Sequence, residues 1–422
     1  MDLLNIPTYL SLFLALYMLV LFFIAFFEEH EKLQTTSANL GLDTKSLPKV
    51  AVIVPAYNEE DTIKATADSL LALKYPKDKL KIYVVDDGSK DNTLKVLKAN
   101  YGNNANVVLL HKENGGKASA MNFAFSKLDK DTELVGVLDA DSFVKEDALL
   151  EIVKEFARRP NLGAVTPAIK IWQPNRIIRF LQNAEYNLSI YLRKAFDNLG
   201  TIFIIPGPFS FYKKEVLDKA GPWKHAHGTE DLEMGLRFQS MGVKIGNTPK
   251  AVVYTVAPKT VLQLYKQRLR WVYGFLNNAI DYKSLFFNKD SKNKALTLFM
   301  LPSSVVVVFF AIYIFFFGIY SIVLELINKI ERWLALGLKP ISLTPDLFYI
   351  NMSIILWFVI VLAIFSFIAM KLGDKISGDE NLRLKDVLSY LLLYGLVAPV
   401  WLSVSLFKTL KRSEVKWVKV NK

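Results

Sequence analysis

Long apolar stretches alternate with mixed polar sequence along this chain. Four stretches contain no Asp, Glu, Lys or Arg: Leu3–Phe27, Ala295–Leu324, Leu347–Met370 and Val387–Phe407. A membrane-spanning helix needs roughly 20 apolar residues, so each stretch predicts a span. The first stretch is followed by Glu28, Glu29 and His30 instead of a small-residue cleavage site. We therefore expect a retained membrane anchor there, not a signal peptide.

Between the first two stretches, short β-branched runs alternate with helical patterns. The runs that predict strands end in polar residues and are Lys49–Tyr57, Lys81–Asp87, Val107–Leu110 and Glu133–Leu138. The helical patterns between and after them are Asp61–Leu73, Asn92–Asn100, Gly116–Leu128 and Asp147–Arg159. Alternation of this kind predicts an α/β fold, in which crossover helices connect the strands of a parallel sheet.

Acidic residues follow three of the predicted strands. They are Glu59 after the first strand, Asp86 and Asp87 at the second, and Asp139 and Asp141 at the fourth. Ligands of such sheets bind beyond the carboxyl ends of the strands, so these side chains are expected at one edge. The motif Asp139-Ala140-Asp141 could hold Mg²⁺ or Mn²⁺, which take carboxylate ligands. An acidic loop that caps a helix remains the alternative.

The later part of this region is less regular. Pro206–Tyr212 predicts a tight turn that enters a strand, and Leu262–Trp271 predicts a helix leading toward the second apolar stretch. Thr229 is expected to cap a helix that begins at Glu230. Ile177–Phe196 mixes aromatic residues with arginines, which is typical of a helix lying along a membrane surface.

Composition supports a soluble domain combined with membrane segments. Of 422 residues, 52% are hydrophobic, yet 22% are charged, which is too many for spans alone. The absence of cysteine excludes disulfides and thiolate metal sites, and only 4 histidines argue against a histidine-rich zinc site. The net charge of +12 favours contact with anionic lipid headgroups or an anionic substrate. We find no nucleic-acid-binding motif, so nucleic acid is not an expected partner.

Four further motifs have a functional and an ordinary interpretation. Asp86-Asp87-Gly88-Ser89 could contact a nucleobase or form a plain turn. In Asn114-Gly115-Gly116-Lys117, the lysine could bind an anionic group or be solvated. In Thr229-Glu230-Asp231, a carboxylate could be a general base or could only complement the helix dipole. Gln267-Arg268-Leu269-Arg270-Trp271 could bind phosphate and stack on a sugar, or form a basic aromatic belt at the membrane.

The order of the motifs is more informative than any one of them. VPAYNEE at Val54–Glu60, DDGS at Asp86–Ser89, NGGKASAMN at Asn114–Asn122, DAD at Asp139–Asp141, TED at Thr229–Asp231 and QRLRW at Gln267–Trp271 follow one another. The set resembles family 2 glycosyltransferases with the GT-A (Rossmann-like) fold. Within the family it is similar to the membrane-embedded processive synthases of cellulose, chitin, hyaluronan and poly-N-acetylglucosamine.

The resemblance implies a role for each motif. An inverting transfer would move a sugar from a nucleotide-diphosphate donor, expected to be a UDP-sugar, to an acceptor hydroxyl. Asp231 would be the general base, with Glu230 beside it, and Asp139 and Asp141 would hold Mn²⁺ or Mg²⁺. The expected acceptor contacts are Gly207, Thr229 and Trp271. The expected nucleotide-sugar contacts are Pro55, Tyr57, Glu59, Asp86, Asp87, Lys117, Asp139, Ala140, Asp141, Gln267 and Arg270.

The resemblance also implies a domain plan. We expect an anchor at 1–28, a GT-A domain with membrane-interface helices at 48–275, three spans within 295–407 and a basic tail at 408–422. Processive synthases usually have more spans, and we find no clear match to the cellulose synthase gating pattern FxVTxK. Trp417 is only a faint echo of a tail motif. A polysaccharide and a lipid-linked acceptor therefore both remain open.

Two other functions compete with this expectation. A polyprenyl-phosphate sugar synthase would match DDGS through DAD, but TED and QxxRW are not expected in it. A membrane scaffold could bind a nucleotide sugar without catalysis, although the intact candidate carboxylates argue against that.

Membrane topology presents a conflict. Nucleotide sugars are cytosolic, so the catalytic domain is expected on the cytosolic side of the cell membrane. One span before it and three after it place the C-terminus outside, yet Lys408–Lys422 contains six basic residues and one acid. The positive-inside rule assigns such a tail to the cytosol. Either the tail breaks the rule, or Gly395 and Pro399 make Val387–Phe407 re-entrant. The sequence favours a full span.

Overall fold

The computed structural model describes residues 6–36, 47–336, 354–413 and 415. The start of the first and third apolar stretches and most of the basic tail, including Trp417, lie outside the described residues. The first helix, α1 (Ile6–Thr36), contains the predicted anchor and precedes the mixed domain.

The first half of the domain is the predicted alternation of strands and helices. Strands β1 (Val50–Ala56), β2 (Leu80–Asp87), β3 (Val107–Lys112) and β4 (Leu134–Val137) are parallel, in the order β3-β2-β1-β4. Helices α2 (Ile63–Leu71), α3 (Thr93–Tyr101) and α4 (Lys117–Phe125) connect them. The carboxyl ends of β1, β2 and β4 therefore meet at one edge of the sheet, where the acidic residues follow.

The second half extends the sheet to eight strands, in the order β3-β2-β1-β4-β7-β6-β8-β5. Strand β7 is antiparallel to β4 and β6, and β5 is antiparallel to β8, so the whole sheet is mixed. The added strands are β5 (Ser142–Val144), β6 (Leu162–Ile171), β7 (Ser210–Lys213) and β8 (Lys244–Thr255). The helices are α5 (Ala148–Arg158), α6 (Ile177–Asn198), α7 (Lys214–Ala220), α8 (Glu230–Ser240) and α9 (Val261–Asp281).

Both faces of the sheet are buried. In β1, Val52 and Val54 belong to the apolar cluster on one face, while Ala51 and Ile53 belong to the cluster on the other. Successive strand residues point to opposite faces, so a continuous apolar run is what a strand covered on both sides requires. Burial of each Val or Ile side chain contributes roughly 1.5–3 kcal/mol to the stability of the folded protein. The strands that carry the acidic residues therefore belong to a well-packed core.

Four helices among the described residues are long and apolar enough to cross a membrane: Ile6–Glu28, Ala295–Ala335, Leu356–Ile376 and Leu384–Leu410. After a π-helical segment (Ala295–Met300) come α10 (Leu301–Leu336), α11 (Ile354–Ile376) and α12 (Leu384–Leu410). Helix α12 is continuous through Pro399, so it shows no break of the kind that Gly395 and Pro399 would make in a re-entrant element.

Helix α6 connects the α/β domain to the long apolar helices. Tyr191 of α6 packs against Phe23 and Phe26 of α1, with ring centroids 5.3 and 5.0 Å apart. Gly373 of α11 lies so close to the backbone of Asn187 that an added Cβ would come within 1.9 Å of its carbonyl oxygen. Helix α6 therefore packs on both α1 and α11.

Candidate active site

Residues from several motifs line one cavity of about 2120 Å³ at the carboxyl edge of the sheet. The strand ends contribute Pro55, Tyr57 and Glu59 after β1, Asp87 at β2, and Asp139, Ala140 and Asp141 after β4. The remaining predicted residues in the lining are Lys117, Gly207, Thr229, Glu230, Asp231, Gln267, Arg270 and Trp271. The structure thus brings every predicted site residue to this cavity except one, Asp86.

Asp86 faces the interior next to β3. Its side chain is fully buried, accepts a hydrogen bond from the Ser89 amide at 3.3 Å, and lies 2.7 Å from His111 Nδ1. Neighbouring strand residues point in opposite directions, so only one of two consecutive aspartates can face the cavity from β2. That residue is Asp87.

Asp87 holds the glycine loop in place. Its carboxylate accepts hydrogen bonds from the amides of Gly115 at 3.1 Å and Gly116 at 2.8 Å, and pairs with Lys112 Nζ at 2.8 Å. Gly116 has φ +83°, in the left-handed region that glycine tolerates, and Lys117 follows as the first residue of α4. Asp87 therefore orders the turn that delivers Lys117 to the cavity.

Lys117 links two acidic motifs. Its Nζ lies 2.7 Å from Asp139 Oδ1 and 3.1 Å from Glu230 Oε1. Burial alone would lower the pKa of Lys117, but Asp139, Glu230 and Asp231 outweigh it and raise the pKa. Gly207 makes room for this contact, because an added Cβ would lie 2.6 Å from Lys117 Nζ.

We call Lys117, Asp139, Asp141, Glu230 and Asp231 the rim cluster. Burial, reinforced by Asp139 and Glu59, raises the pKa of Asp141 to about 7. A carboxylate of this kind gains most from a cation brought by a ligand. Among the described residues no three His, Cys, Asp or Glu side chains converge as a metal site. Asp139 and Asp141 therefore fit a cation whose other ligands are diphosphate or water oxygens.

The TED motif places two carboxylates at the start of α8. The helix begins at Glu230, as predicted, but the Thr229 side chain makes no capping hydrogen bond to it. The Thr229 hydroxyl donates instead to the Ala226 carbonyl at 3.1 Å and accepts from Asn278 of α9 at 2.9 Å. Thr229 therefore ties α8 to α9, because its hydroxyl already has partners on both sides.

The two carboxylates of this motif differ in their electrostatics. Burial alone would raise the pKa of Glu230, but its pairing with Lys117 lowers it. Burial and the charge of Glu230 raise the pKa of Asp231. A higher pKa makes the ionised Asp231 a stronger base than an exposed aspartate, which is the property a general base needs.

The QRLRW motif lies on α9, facing the TED motif. Arg270 donates to the Gly228 carbonyl at 2.8 Å, which brings its guanidinium beside the start of α8. The Gln267 side-chain oxygen is buried and accepts no hydrogen bond from the part of the chain that the structure describes, so a ligand could satisfy it. Trp271 lines the cavity and packs under Arg268, whose guanidinium carbon lies 4.3 Å from the ring centroid.

Sequence reasoning missed the group that holds Arg268. Glu185 of α6 binds Arg268 Nη2 at 2.7 Å and accepts a hydrogen bond from Tyr394 of α12 at 3.3 Å. Glu185 is the only acid in Ile177–Phe196, a segment otherwise built of apolar, polar and basic residues. A single acid on a membrane-facing helix is costly unless it is paired, and that was the available signal.

The cavity continues from the rim cluster to the apolar helices. It exceeds the roughly 300–1,000 Å³ of common small-molecule pockets. Its far wall is formed by Ser304, Val307, Val308, Ala311, Ile314 and Phe315 of α10 and by Tyr394, Gly395, Ala398, Pro399, Trp401 and Leu402 of α12. One continuous space therefore has an acidic end and an apolar end.

Comparison with known proteins agrees with this arrangement. Residues 48–274 match the family model described as glycosyltransferase like family 2. The chain is 29% identical over 319 residues to a poly-β-1,6-N-acetyl-D-glucosamine synthase of Staphylococcus aureus, covering 75% of this chain and 76% of the relative. It is 30% identical over 276 residues to a synthase of the same name from Staphylococcus epidermidis, covering 65% and 66%.

A solved structure supports the fold. The chain superposes on a mannosyltransferase from Pyrobaculum calidifontis, solved in complex with GDP-Man and Mn²⁺, with a TM-score of 0.57. The match covers 96% of this chain and 100% of that one at 19% identity. The predicted GT-A type of α/β fold, with helical segments beside it, is therefore confirmed.

Proposed function

The chain belongs to glycosyltransferase family 2, and on that premise we propose that it transfers a sugar from a nucleotide-diphosphate donor to an acceptor hydroxyl with inversion. The observation that carries the proposal is the convergence of the rim cluster, Arg270 and Trp271 on one cavity. Motifs separated along the chain meet there in the arrangement that such a transfer needs: acids for a metal and a base, cations for phosphate, and an aromatic surface for a sugar.

In the proposed reaction, the acceptor oxygen bonds to the anomeric carbon while the bond from that carbon to the diphosphate oxygen breaks. Asp231 accepts the proton of the attacking hydroxyl. Asp139 and Asp141 would hold Mn²⁺ or Mg²⁺, which supplies positive charge to the departing nucleotide diphosphate. Lys117 and Arg270 add donors for phosphate oxygens, and Trp271 offers its face to the acceptor sugar.

The names of the relatives indicate which donor sugar to test first. Because the Staphylococcus proteins are named as poly-β-1,6-N-acetyl-D-glucosamine synthases, we propose UDP-N-acetylglucosamine as the first donor to test. We propose that the acceptor occupies the apolar end of the cavity, as a growing polysaccharide or a lipid-linked sugar. We further propose that residues 48–275 form the catalytic domain, on the cytosolic side of the cell membrane.

The experiment is a donor screen with the purified full chain in lipid. Radiolabelled UDP-N-acetylglucosamine, UDP-glucose, UDP-glucuronic acid and GDP-mannose are offered separately with Mn²⁺ or Mg²⁺. We expect one donor to give a labelled product, and the product's size on a gel separates a polymer from a single addition. Donor binding without any transfer would instead support the non-catalytic scaffold.

A further inference from the structure

We infer that α12 lies in the membrane interface on the catalytic-domain side, with its outer face docked on the lipid of that leaflet, and does not cross the bilayer. The inference rests on where the two ends of the helix are bound. A helix of 27 residues is roughly 40 Å long at 1.5 Å per residue. A crossing helix would separate its ends by the roughly 30 Å hydrocarbon core.

The first end of α12 is bound to the catalytic domain. Asp386 accepts a hydrogen bond from Asn183 of α6 at 3.0 Å, and both side chains are buried. Arg383 donates to the carbonyl of Pro174, in the segment between β6 and α6, at 2.9 Å.

The last end of α12 is bound to the same domain. Ser405 donates to the Leu269 carbonyl of α9 at 3.3 Å, and Thr409 accepts from Asn277 of α9 at 3.2 Å. The next residue along α9, Asn278, donates to Thr229 in the TED motif at 2.9 Å. The end of α12 therefore lies beside the part of the domain that carries the rim cluster, which would leave it on the same side of the membrane.

Helix α10 differs from α12 in how much of its length packs on the rest of the protein. Leu296, Met300 and Leu301 are buried at its start, but no residue of its most apolar window is buried. In α12, by contrast, Val387 is buried near the first end and Ala398, Trp401, Ser405 and Thr409 are buried along the second half. Between them the partly buried Tyr390, Leu393 and Tyr394 pack on an apolar cluster that includes Leu181 of α6 and Leu264 of α9. Helix α12 thus keeps one face on α6 and α9 from beginning to end.

The opposite face of α12 is apolar and exposed. It carries Leu384, Leu388, Leu391, Leu392, Leu396, Val400, Phe407 and Leu410. Exposed basic residues stand at both ends, Arg383 and Lys385 at the first and Lys411 and Arg412 at the last. An apolar face between cationic ends fits acyl chains below anionic headgroups, which is how interfacial helices bind a leaflet.

This placement removes the topology conflict. With α12 in the interface, Lys408, Lys411 and Arg412 at its last end stay on the catalytic-domain side, as the positive-inside rule requires. The placement also explains why hydropathy predicts a span. One face of α12 is apolar to pack on the protein and the other to contact lipid, so the sequence is apolar all round.

The first test uses sidedness, and the natural absence of cysteine makes it direct. Single variants Lys411→Cys and, as reference in the catalytic domain, the exposed Lys130→Cys are reacted with a membrane-impermeant maleimide in sealed vesicles of each orientation. We expect both variants to label in the same orientation. Labelling of Lys411→Cys only in the orientation opposite to Lys130→Cys would overturn the inference.

The second test measures depth. Spin labels are placed one at a time on the outer face through Leu388→Cys, Leu396→Cys and Phe407→Cys, and collisions with oxygen and a water-soluble nickel chelate are compared. We expect all three labels at one shallow depth. A label at Leu396 near the bilayer centre, with shallow labels on either side, would show a crossing helix. Protection from both reagents would show a protein partner and would overturn lipid docking.

Discussion

Two clusters of charged side chains in this molecule differ in how their charges are balanced. The rim cluster has acids in excess, since Lys117 faces Asp139, Asp141, Glu230 and Asp231 beside an open cavity. The second, which we call the loop cluster, consists of Lys145, Lys170, Asp374 and Asp379, and joins the sheet to the α11–α12 connection.

The loop cluster is closed. Lys170 is fully buried and pairs with Asp374 at 2.9 Å, while Lys145 pairs with Asp379 at 3.1 Å. Asp374 also accepts hydrogen bonds from the amides of Asn381 and Leu382, both at 3.1 Å. In the loop cluster each lysine pairs with an aspartate, so the pairs connect two parts of the chain. In the rim cluster the acids outnumber the lysine, so a cation brought by a ligand would stabilise them. The loop cluster therefore anchors the α11–α12 region to the sheet, and the rim cluster is the one proposed to take part in the transfer.

The largest expected difference between the clusters is in metal dependence. Asp139→Asn and Asp141→Asn should each reduce transfer by about 100-fold or more, since preorganised electrostatic groups at a reacting centre have effects of that size. Chelation by EDTA should stop the wild-type enzyme, and Mn²⁺ or Mg²⁺ should restore it, as measured by radiolabel transfer. The matched control is Asp379→Asn, which should keep the metal response. Full wild-type activity in the presence of EDTA would show that Asp139 and Asp141 do not act by binding a metal ion.

The next effect is on stability and belongs to the loop cluster. Lys170→Met leaves Asp374 as a buried unpaired charge, a change that typically costs about 3–5 kcal/mol. Burial already lowers the pKa of Lys170, so its charge depends on that partner. We expect a clear fall in the thermal unfolding midpoint of the detergent-solubilised protein, while the activity of the remaining folded fraction is retained.

Its control is Lys145→Met, at a partly exposed pair, which should cost under about 1 kcal/mol. The double variant Lys170→Met, Asp374→Asn should recover part of the loss, because no buried charge remains and the amide oxygen can still accept a hydrogen bond from the backbone amide of Asn381 or Leu382. Equal destabilisation by Lys145→Met and Lys170→Met would contradict the prediction that losing the lysine of the buried ion pair costs more than losing that of the partly exposed pair.

The sequence predicts that the residues of the rim cluster lie together, whereas no pattern in the sequence predicts the loop cluster. Because parallel strands end together, the sequence predicts that the acids after β1, β2 and β4 lie at one edge of the sheet, and Glu59, Asp87, Asp139 and Asp141 line the cavity there. Side chains alternate along a strand, so only one of Asp86 and Asp87 can face the cavity. The neighbouring residues in the sequence do not show which one it is. The partners Lys170 and Asp374 are separated by 204 residues, a contact that only packing defines.

The apolar helices show the same limit. Their positions followed from charge-free runs, but hydropathy measures only the apolar surface of a helix. It does not tell whether protein or lipid covers each face. For α12 the deciding facts are contacts with α6 and α9, such as that of Thr409 with Asn277.

A smaller effect tests the acceptor side of the rim cluster. Trp271→Ala removes the aromatic face beside the cavity, and loss of a stacking contact of roughly 0.5–1.5 kcal/mol should raise the acceptor KM by about 2- to 12-fold. Donor affinity, measured by equilibrium dialysis, should change little, and Trp271→Phe should recover most of the loss. An unchanged acceptor KM would count against stacking.

The smallest effect concerns Glu185 as a positioning residue. Glu185→Gln weakens the hold on Arg268 and through it the orientation of Trp271, so we expect a few-fold rise in acceptor KM with kcat nearly unchanged. The structural basis is the Glu185–Arg268 contact of 2.7 Å. Tyr394→Phe removes only the longer hydrogen bond to Glu185 and should have a still smaller effect. A fall in kcat alone for Glu185→Gln would contradict a positioning role.

We propose that Asp231 takes the proton of the attacking hydroxyl, and one pair of measurements tests this role. Donor binding and radiolabel transfer are compared in the same preparation for wild type, Asp231→Asn and the surface control Asp218→Asn. General-base catalysis is worth roughly 10²–10⁴-fold, so Asp231→Asn should lose transfer by that factor while it still binds donor. Asp218→Asn should match wild type. Transfer by Asp231→Asn at a near-normal rate would show that Asp231 is not the general base.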